Sequence, residues 1–169
     1  MSEERLKPPL NDITLYEHYI RNFKRVGLIY GTTQKNISKL QKAQNLLARV
    51  VTCSPRSSQS RSYNLLQHLH WLPIKHRINF KIANITFRTL QSSQPVYLRS
   101  ILHTHHSTRS LRLSNTNLLC APFVRTSFGS RSFSVAASKI WNSLPPALRM
   151  CTSHDTFRHH YFQLAFQPT

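Results

Sequence analysis

With 23 Lys and Arg against 5 Asp and Glu in 169 residues, the chain carries +18 at pH 7, and its 40% hydrophobic content is enough to fill one core. The acids are Glu3, Glu4, Asp12, Glu17 and Asp155, so residues 18–154 hold 20 cations and no carboxylate. This excludes the clustered carboxylates of two-metal nucleotidyl transfer and nuclease sites and the paired carboxylates of glycosidases, and no run approaches the ~18 apolar residues of a membrane span.

An excess of this size destabilises a compact chain unless polyanions or counterions screen it, which points to an anionic partner, above all nucleic acid. Fifteen of the cations are Arg, the residue suited to bidentate phosphate contact. Cys53, Cys120 and Cys151 are odd in number and widely spaced, which predicts reduced, mostly buried thiols rather than a disulfide frame or a Cys-x-x-Cys zinc site. The opening Met-Ser-Glu-Glu-Arg-Leu-Lys is acidic where a targeting segment would be basic. The expected location is therefore intracellular, nuclear or cytoplasmic, without a membrane.

In chain order, residues 1–27 read as a divergent leader with one weak helix around Tyr16, Tyr19, Ile20 and Phe23, and 28–169 as a single helical domain. Thr32 or Thr33 can cap a helix from Gln34 to Thr52, whose apolar face is Ile37, Leu40, Ala43, Leu47, Val50 and Val51. Residues 53–62 are a Ser/Arg-rich loop, and Ser62 can cap a short helix through Leu65, Leu66 and Leu69. Leu69-His70-Trp71-Leu72-Pro73 then forms a Pro-set corner into a long apolar helix. Ile74, Ile78, Ile82 and Ile85 make one stripe of it, and Phe80, Ala83, Phe87 and Leu90 a second, so this helix is the expected core element. A helix from Val96 to about Leu102 packs Tyr97, Leu98 and Ile101.

The helical period disappears from His103 to Arg131. Arg109–Leu113 alternates as a strand does, and Leu118–Thr126 reads as a second strand held at an edge by Pro122. The fold class is thus mainly α, with a short irregular β-hairpin in the second half. Ser134 caps a helix through Ala136, Ala137, Ile140 and Trp141 that stops before Leu144-Pro145-Pro146, and Ser153 with Asp155 opens a last helix through Phe157, Tyr161, Leu164 and Phe166.

Electrostatics ranks the candidate contacts. Arg109, Arg112, Arg125 and Arg131 come first because their segment is polar and poorly periodic, followed by Arg49, Arg56, Arg61 and Lys75. Such contacts position a phosphate backbone without reading sequence. Other features have plainer structural explanations. Trp71 and Trp141 adjoin Leu-Pro corners and read as core, while Arg77, Lys81 and Arg88 extend charged ends from a buried helix. His103, His105, His106, His159 and His160 have no cysteine or acid at metal-ligand spacing, His70 lacks an orienting acid for a nucleophile pair, and one glycine in Phe128-Gly129-Ser130-Arg131 is too little for a phosphate cradle. No metal site, cofactor or catalytic residue is expected.

Several blocks occur together in order: Leu40-Gln41, Gln44-Asn45 and Ala48-Arg49; Leu69-His70-Trp71-Leu72-Pro73 with Arg77 and Lys81; Pro95-x-Tyr97-Leu98; Arg109 with Leu111-Arg112; Gly129-x-Arg131-x-Phe133 with Ala136-Ala137; Trp141-Asn142-x-Leu144-Pro145; and Phe157. Over residues 28–166 this resembles the region downstream of the polymerase core in non-LTR retrotransposon reverse transcriptases of the CR1 and L2-like groups. The resemblance implies a carboxy-terminal piece that holds template RNA or target DNA beside a polymerase carried elsewhere, with a reverse transcriptase core as a further partner. No aspartate-pair polymerase motif stands in this sequence, so the polymerase activity itself transfers to no residue here. Two alternatives accompany this expectation: a structural piece docking onto a polymerase or other protein through apolar helix faces, and a decayed reading frame without function.

Overall fold

The structure, a computed structural model, describes residues 30–54, 62–105 and 117–167. Among them are seven α-helices, numbered here α1 (Gln34–Val51), α2 (Ser62–His68), α3 (Ile74–Ser92), α4 (Val96–Arg99), α5 (Phe133–Ser143), α6 (Pro146–Arg149) and α7 (His154–Ala165), with one 3-10 turn at Gly129–Arg131. The chain divides into two compact units, residues 1–74 and 75–169, and the division falls inside the first turn of α3. The weak helix expected before residue 28 lies outside the described residues.

In the first unit α1 packs on α2. Both helices end the same way. Cys53 follows α1 with φ 49° and His70 follows α2 with φ 54°. Ser54 N–H returns to Arg49 C=O and Cys53 N–H to Val50 C=O; after α2, Trp71 N–H returns to Leu66 C=O and His70 N–H to Gln67 C=O. This paired return is a Schellman motif, and it satisfies carbonyls the helix leaves over. The Leu-His-Trp-Leu-Pro corner is therefore built first by a left-handed His70 and only then by Pro73.

The buried line of α1 differs from the expected apolar face: Ala43 and Val50 are exposed, whereas Gln44 and Ala48 are fully buried. Hydrogen bonding explains the exchange. Gln44 Nε2 donates to Leu72 C=O (2.9 Å), and Gln41 Oε1 accepts from Ile74 N–H (2.9 Å), so two amides of α1 satisfy the backbone on either side of Pro73. Gln41 Nε2 in turn donates to Gln44 Oε1 (3.0 Å) and Asn45 Oδ1 (2.8 Å). The Ile74 N–H is one of the donors a helix start leaves unpaired, and Gln41 supplies its acceptor from another element.

In the second unit α3 buries Ile78, Ile82, Ala83, Thr86, Phe87 and Thr89, as a core helix should. The buried Thr86 hydroxyl donates back to Ile82 C=O (2.9 Å), which removes the cost of placing it there. Phe87 stacks on Phe157 of α7 at 4.5 Å and lies 6.5 Å from Trp141 of α5, and Phe80 meets Tyr161 at 5.0 Å. Trp141 is 2% exposed and belongs to the core, as expected; Trp71 is half-buried. Helix α5 stops at the extended Leu144, because a residue before proline is pushed out of the helical region, and Pro146 starts α6 at a first-turn position.

Three further expectations are corrected. There is no β-strand among the described residues. One antiparallel bridge joins Thr104 and Leu119, with His105 N–H donating to Leu118 C=O and Cys120 N–H to His103 C=O, both 2.8 Å. The other edge of the 117–120 segment is taken by side chains of α5. Asn142 Oδ1 accepts from Leu119 N–H (2.9 Å) while its Nδ2 donates to Leu119 C=O (2.8 Å), and Trp141 Nε1 donates to Asn117 C=O (2.7 Å). Ser138 Oγ lies 2.9 Å from Cys120 C=O. Helix side chains thus do for this segment what a neighbouring strand would do. The proposed first strand, Arg109–Leu113, lies outside the described residues.

The helix expected over 96–102 is reduced to the single turn α4, with Tyr97 70% exposed and Ile101 exposed; Leu102 is the buried residue. Arg99 Nη1 donates to Leu102 C=O (2.6 Å), which helps turn the chain out of the helix. The thiols are not mostly buried: Cys53 and Cys120 are exposed and Cys151 is intermediate. Cys53 occupies the left-handed position beyond a helix end, and Cys120 alternates outward from the inward Leu119. The capping residues also differ in detail. Ser132, not Ser134, precedes α5, and neither Thr33 nor Ser153 makes a side-chain cap bond.

Candidate nucleic-acid interface

Of the eight ranked cations, four are described. In the first unit Arg49 sits half-buried in the last turn of α1, below the exposed Lys35, Lys39 and Lys42. In the second unit Lys75 is exposed in the first turn of α3, Arg125 is exposed in the irregular stretch after Cys120, and Arg131 is exposed at the end of the 3-10 turn. Arg56, Arg61, Arg109 and Arg112 lie outside the described residues. Arg88, Lys139 and Arg158 add exposed charge to the second unit, and Asp155 is its one acid. Arg158 Nη1 lies 3.8 Å from Asp155 Oδ1 in a solvent-exposed pair, which neutralises little of that field.

The 125–131 segment is positioned by a small hydrogen-bonded turn. Thr126 C=O accepts from Ser130 N–H (3.1 Å), Thr126 Oγ1 from Gly129 N–H (3.0 Å), and Phe128 C=O from Arg131 N–H (3.0 Å). A Cβ at Gly129 would meet Thr126 Oγ1 at 3.0 Å and Val124 Cβ at 3.4 Å. The glycine therefore permits close packing rather than forming an anion cradle. The turn leaves Phe123 87% and Phe128 86% exposed, on either side of Arg125 in sequence and just before Arg131. Two solvent-facing rings interleaved with two guanidinium groups can stack on bases while the cations meet phosphates. Charge counting ranked the arginines and passed over these rings. The signal available was a Phe-x-Arg-x-x-Phe-x-x-Arg run outside any apolar period.

A second arrangement was not foreseen at all. Arg149, at the end of α6, is only 7% exposed, and its Nε and Nη1 have no hydrogen-bond partner among the described residues. Burial disfavours its charged form, which draws its pKa below the ordinary arginine value, yet a guanidinium stays protonated in proteins. It lines a cavity of about 240 Å³ together with Arg99. Among the described residues no group of three or more His, Cys, Asp and Glu side chains stands close enough to hold a metal ion, and no helix is long and apolar enough to cross a membrane.

No family model matches the chain, and no curated protein or solved structure matches it.

Proposed function

We propose that this chain is a non-catalytic, basic nucleic-acid-binding piece of a retrotransposon-type reverse transcriptase, holding template RNA or target DNA through its phosphates. The observation that carries this reading is the run of exposed rings and exposed cations Phe123, Arg125, Phe128 and Arg131 in a chain of net charge +18. Stacking on exposed aromatics requires unpaired bases, so the reading favours a single strand over a duplex. The ordered sequence blocks supply the link to a polymerase carried elsewhere.

Salt-titrated binding to single-stranded RNA and duplex DNA, beside a charge-matched peptide, is the test. Replacing Arg109, Arg112, Arg125 and Arg131 together by Gln is expected to lower the log-log salt slope for a single strand by about 2.8, four contacts at about 0.7 each. Phe123→Ala with Phe128→Ala is expected to cost roughly 1–3 kcal/mol per stacked base while leaving that slope unchanged. Affinity no better than the peptide's, or an equal slope loss from replacing Lys35, Lys39, Lys42 and Arg49, refutes the assignment.

A second reading, docking onto a polymerase core or another protein, draws on the exposed apolar residues of α4, Val96 and Tyr97, with Ile101 just beyond it. It predicts that Val96→Ser with Tyr97→Ser leaves oligonucleotide affinity unchanged but abolishes association with that partner.

A further inference from the structure

The buried arginine of α6 has no compensating partner for two of its nitrogens among the described residues of the second unit. Moving a guanidinium out of water is costly unless charge and hydrogen bonds compensate, and arginine cannot escape by losing its proton. Arg149 meets neither condition: its Nε and Nη1 are shielded and unpartnered, and the unit's one acid, Asp155, is exposed and beside Arg158. Arg99 lines the same cavity with one nitrogen committed to Leu102 C=O, and Thr104 is also part of the lining. Phe87, Leu90 and Trp141 make an apolar side of the wall, and Gln91, Asn117 and Cys151 complete it.

We infer that this cavity receives a phosphate monoester, its oxygens meeting Arg149 and Arg99 and its ester carbon lying against the Phe87 and Trp141 side. Charge decides among oxyanions: a monoester carries about −1.5 to −2 at pH 7 and balances two guanidinium groups, whereas a carboxylate leaves one uncompensated. Arg149 Nε and Nη1 are closed to solvent, so Nη2 is the nitrogen left to meet a phosphate oxygen, with the Arg99 guanidinium as the second donor. Size agrees. A cavity of about 240 Å³ has room for a phosphate with a small organic stub. The group can come from a free small phosphate or from the phosphorylated end of a strand. The site stands apart from the reading above, since the free-phosphate arm of its test contains no nucleic acid.

The test is calorimetric titration of the full chain at constant ionic strength with orthophosphate, phenyl phosphate and acetate, followed by oligonucleotides ending in 5′-phosphate or 5′-hydroxyl. Phenyl phosphate is expected to bind more tightly than orthophosphate, with acetate weaker than both. Its Kd is expected to rise at least about tenfold in Arg149→Met and in Arg99→Gln, as loss of a charge-assisted pair implies. Arg149→Met is also expected to melt at or above the wild-type temperature in chloride, because it removes an uncompensated buried charge; should it fail to fold, Arg99→Gln still decides. A 5′-phosphate that strengthens oligonucleotide binding in wild type but not in Arg149→Met assigns the site to strand ends. Equal binding of both oligonucleotides with the phenyl phosphate response retained assigns it to free phosphates. No heat with either phosphate, acetate binding as tightly as phenyl phosphate, or equal Kd in wild type and both variants overturns the inference.

Discussion

Asn142 is the side chain whose removal should most clearly expose how the second unit replaces a strand with a helix. It contacts both backbone polar groups of Leu119, at 2.9 and 2.8 Å, and Leu119 is 2% exposed, so water has little access to take over either role. Each buried backbone group left unsatisfied costs about 1–3 kcal/mol, so Asn142→Ala should lose roughly 2–6 kcal/mol. With a urea m-value of ~2 kcal/mol/M, that is a midpoint drop of about 1–3 M. Asn142→Asp keeps the acceptor for Leu119 N–H and loses the donor to Leu119 C=O, so it should cost about half as much near neutral pH. Acid should then partly rescue it, since the protonated carboxyl regains a donor. In sign, the folded state holds that proton more tightly than the unfolded chain does, so the recovered stability is present at low pH and disappears as pH rises through the folded pKa. The assay is urea unfolding read by Trp141 fluorescence in a Trp71→Phe background, which confines the signal to the second unit. A loss below about 0.5 kcal/mol in Asn142→Ala, within the range of ordinary surface substitutions, would refute the argument. So would an Asn142→Asp variant that acid does not rescue relative to wild type.

The aromatic cluster and the last helix lead to three more expectations. Phe87→Ala, at the 4.5 Å stack with Phe157, should cost about 3–5 kcal/mol, measured by the same unfolding assay; a loss under 1.5 kcal/mol would mean that the cluster is not the centre of this core. Tyr161→Phe removes the 3.2 Å bond from its hydroxyl to His76 C=O and keeps the ring against Phe80, so about 0.5–1.5 kcal/mol should go, a value that Tyr161→Ala must exceed. Burial, and secondarily the Lys75 charge, hold the His76 imidazole below its ordinary value of 6.5. As pH falls through 6.5 the unfolded chain takes up a proton that the folded imidazole resists, so His76 subtracts stability from there down to its lower folded pKa. His76→Gln should flatten the pH dependence of the melting temperature over that interval, and an unchanged profile would rule the group out.

Helix positions followed from local pattern because a helix needs only its own apolar period and its stop signals. The α3 stripe, the stop at Leu144-Pro145 and the opening of α7 near Asp155 were all legible in that way. Pattern failed where a polar side chain found its partner far along the chain. Gln44 lies outside the apolar face read from the period, and its bond to Leu72 C=O, 28 residues away, explains why it is buried. The same applies to 117–120, whose alternation resembled a strand although Ser138, Trp141 and Asn142 occupy its free edge.

The candidate sites divide in the same way. Composition alone determined the excess of cations and the stretch from 18 to 154 without a carboxylate, since charge is a sum over residues and needs no coordinates. Which of the described cations face water and which are enclosed was decided by tertiary structure, because exposure depends on what packs above a side chain. Arg125 and Arg131 are exposed, as are Phe123 and Phe128 in the same stretch of sequence, and Arg149, alike to them in sequence, is buried with two nitrogens unpartnered among the described residues.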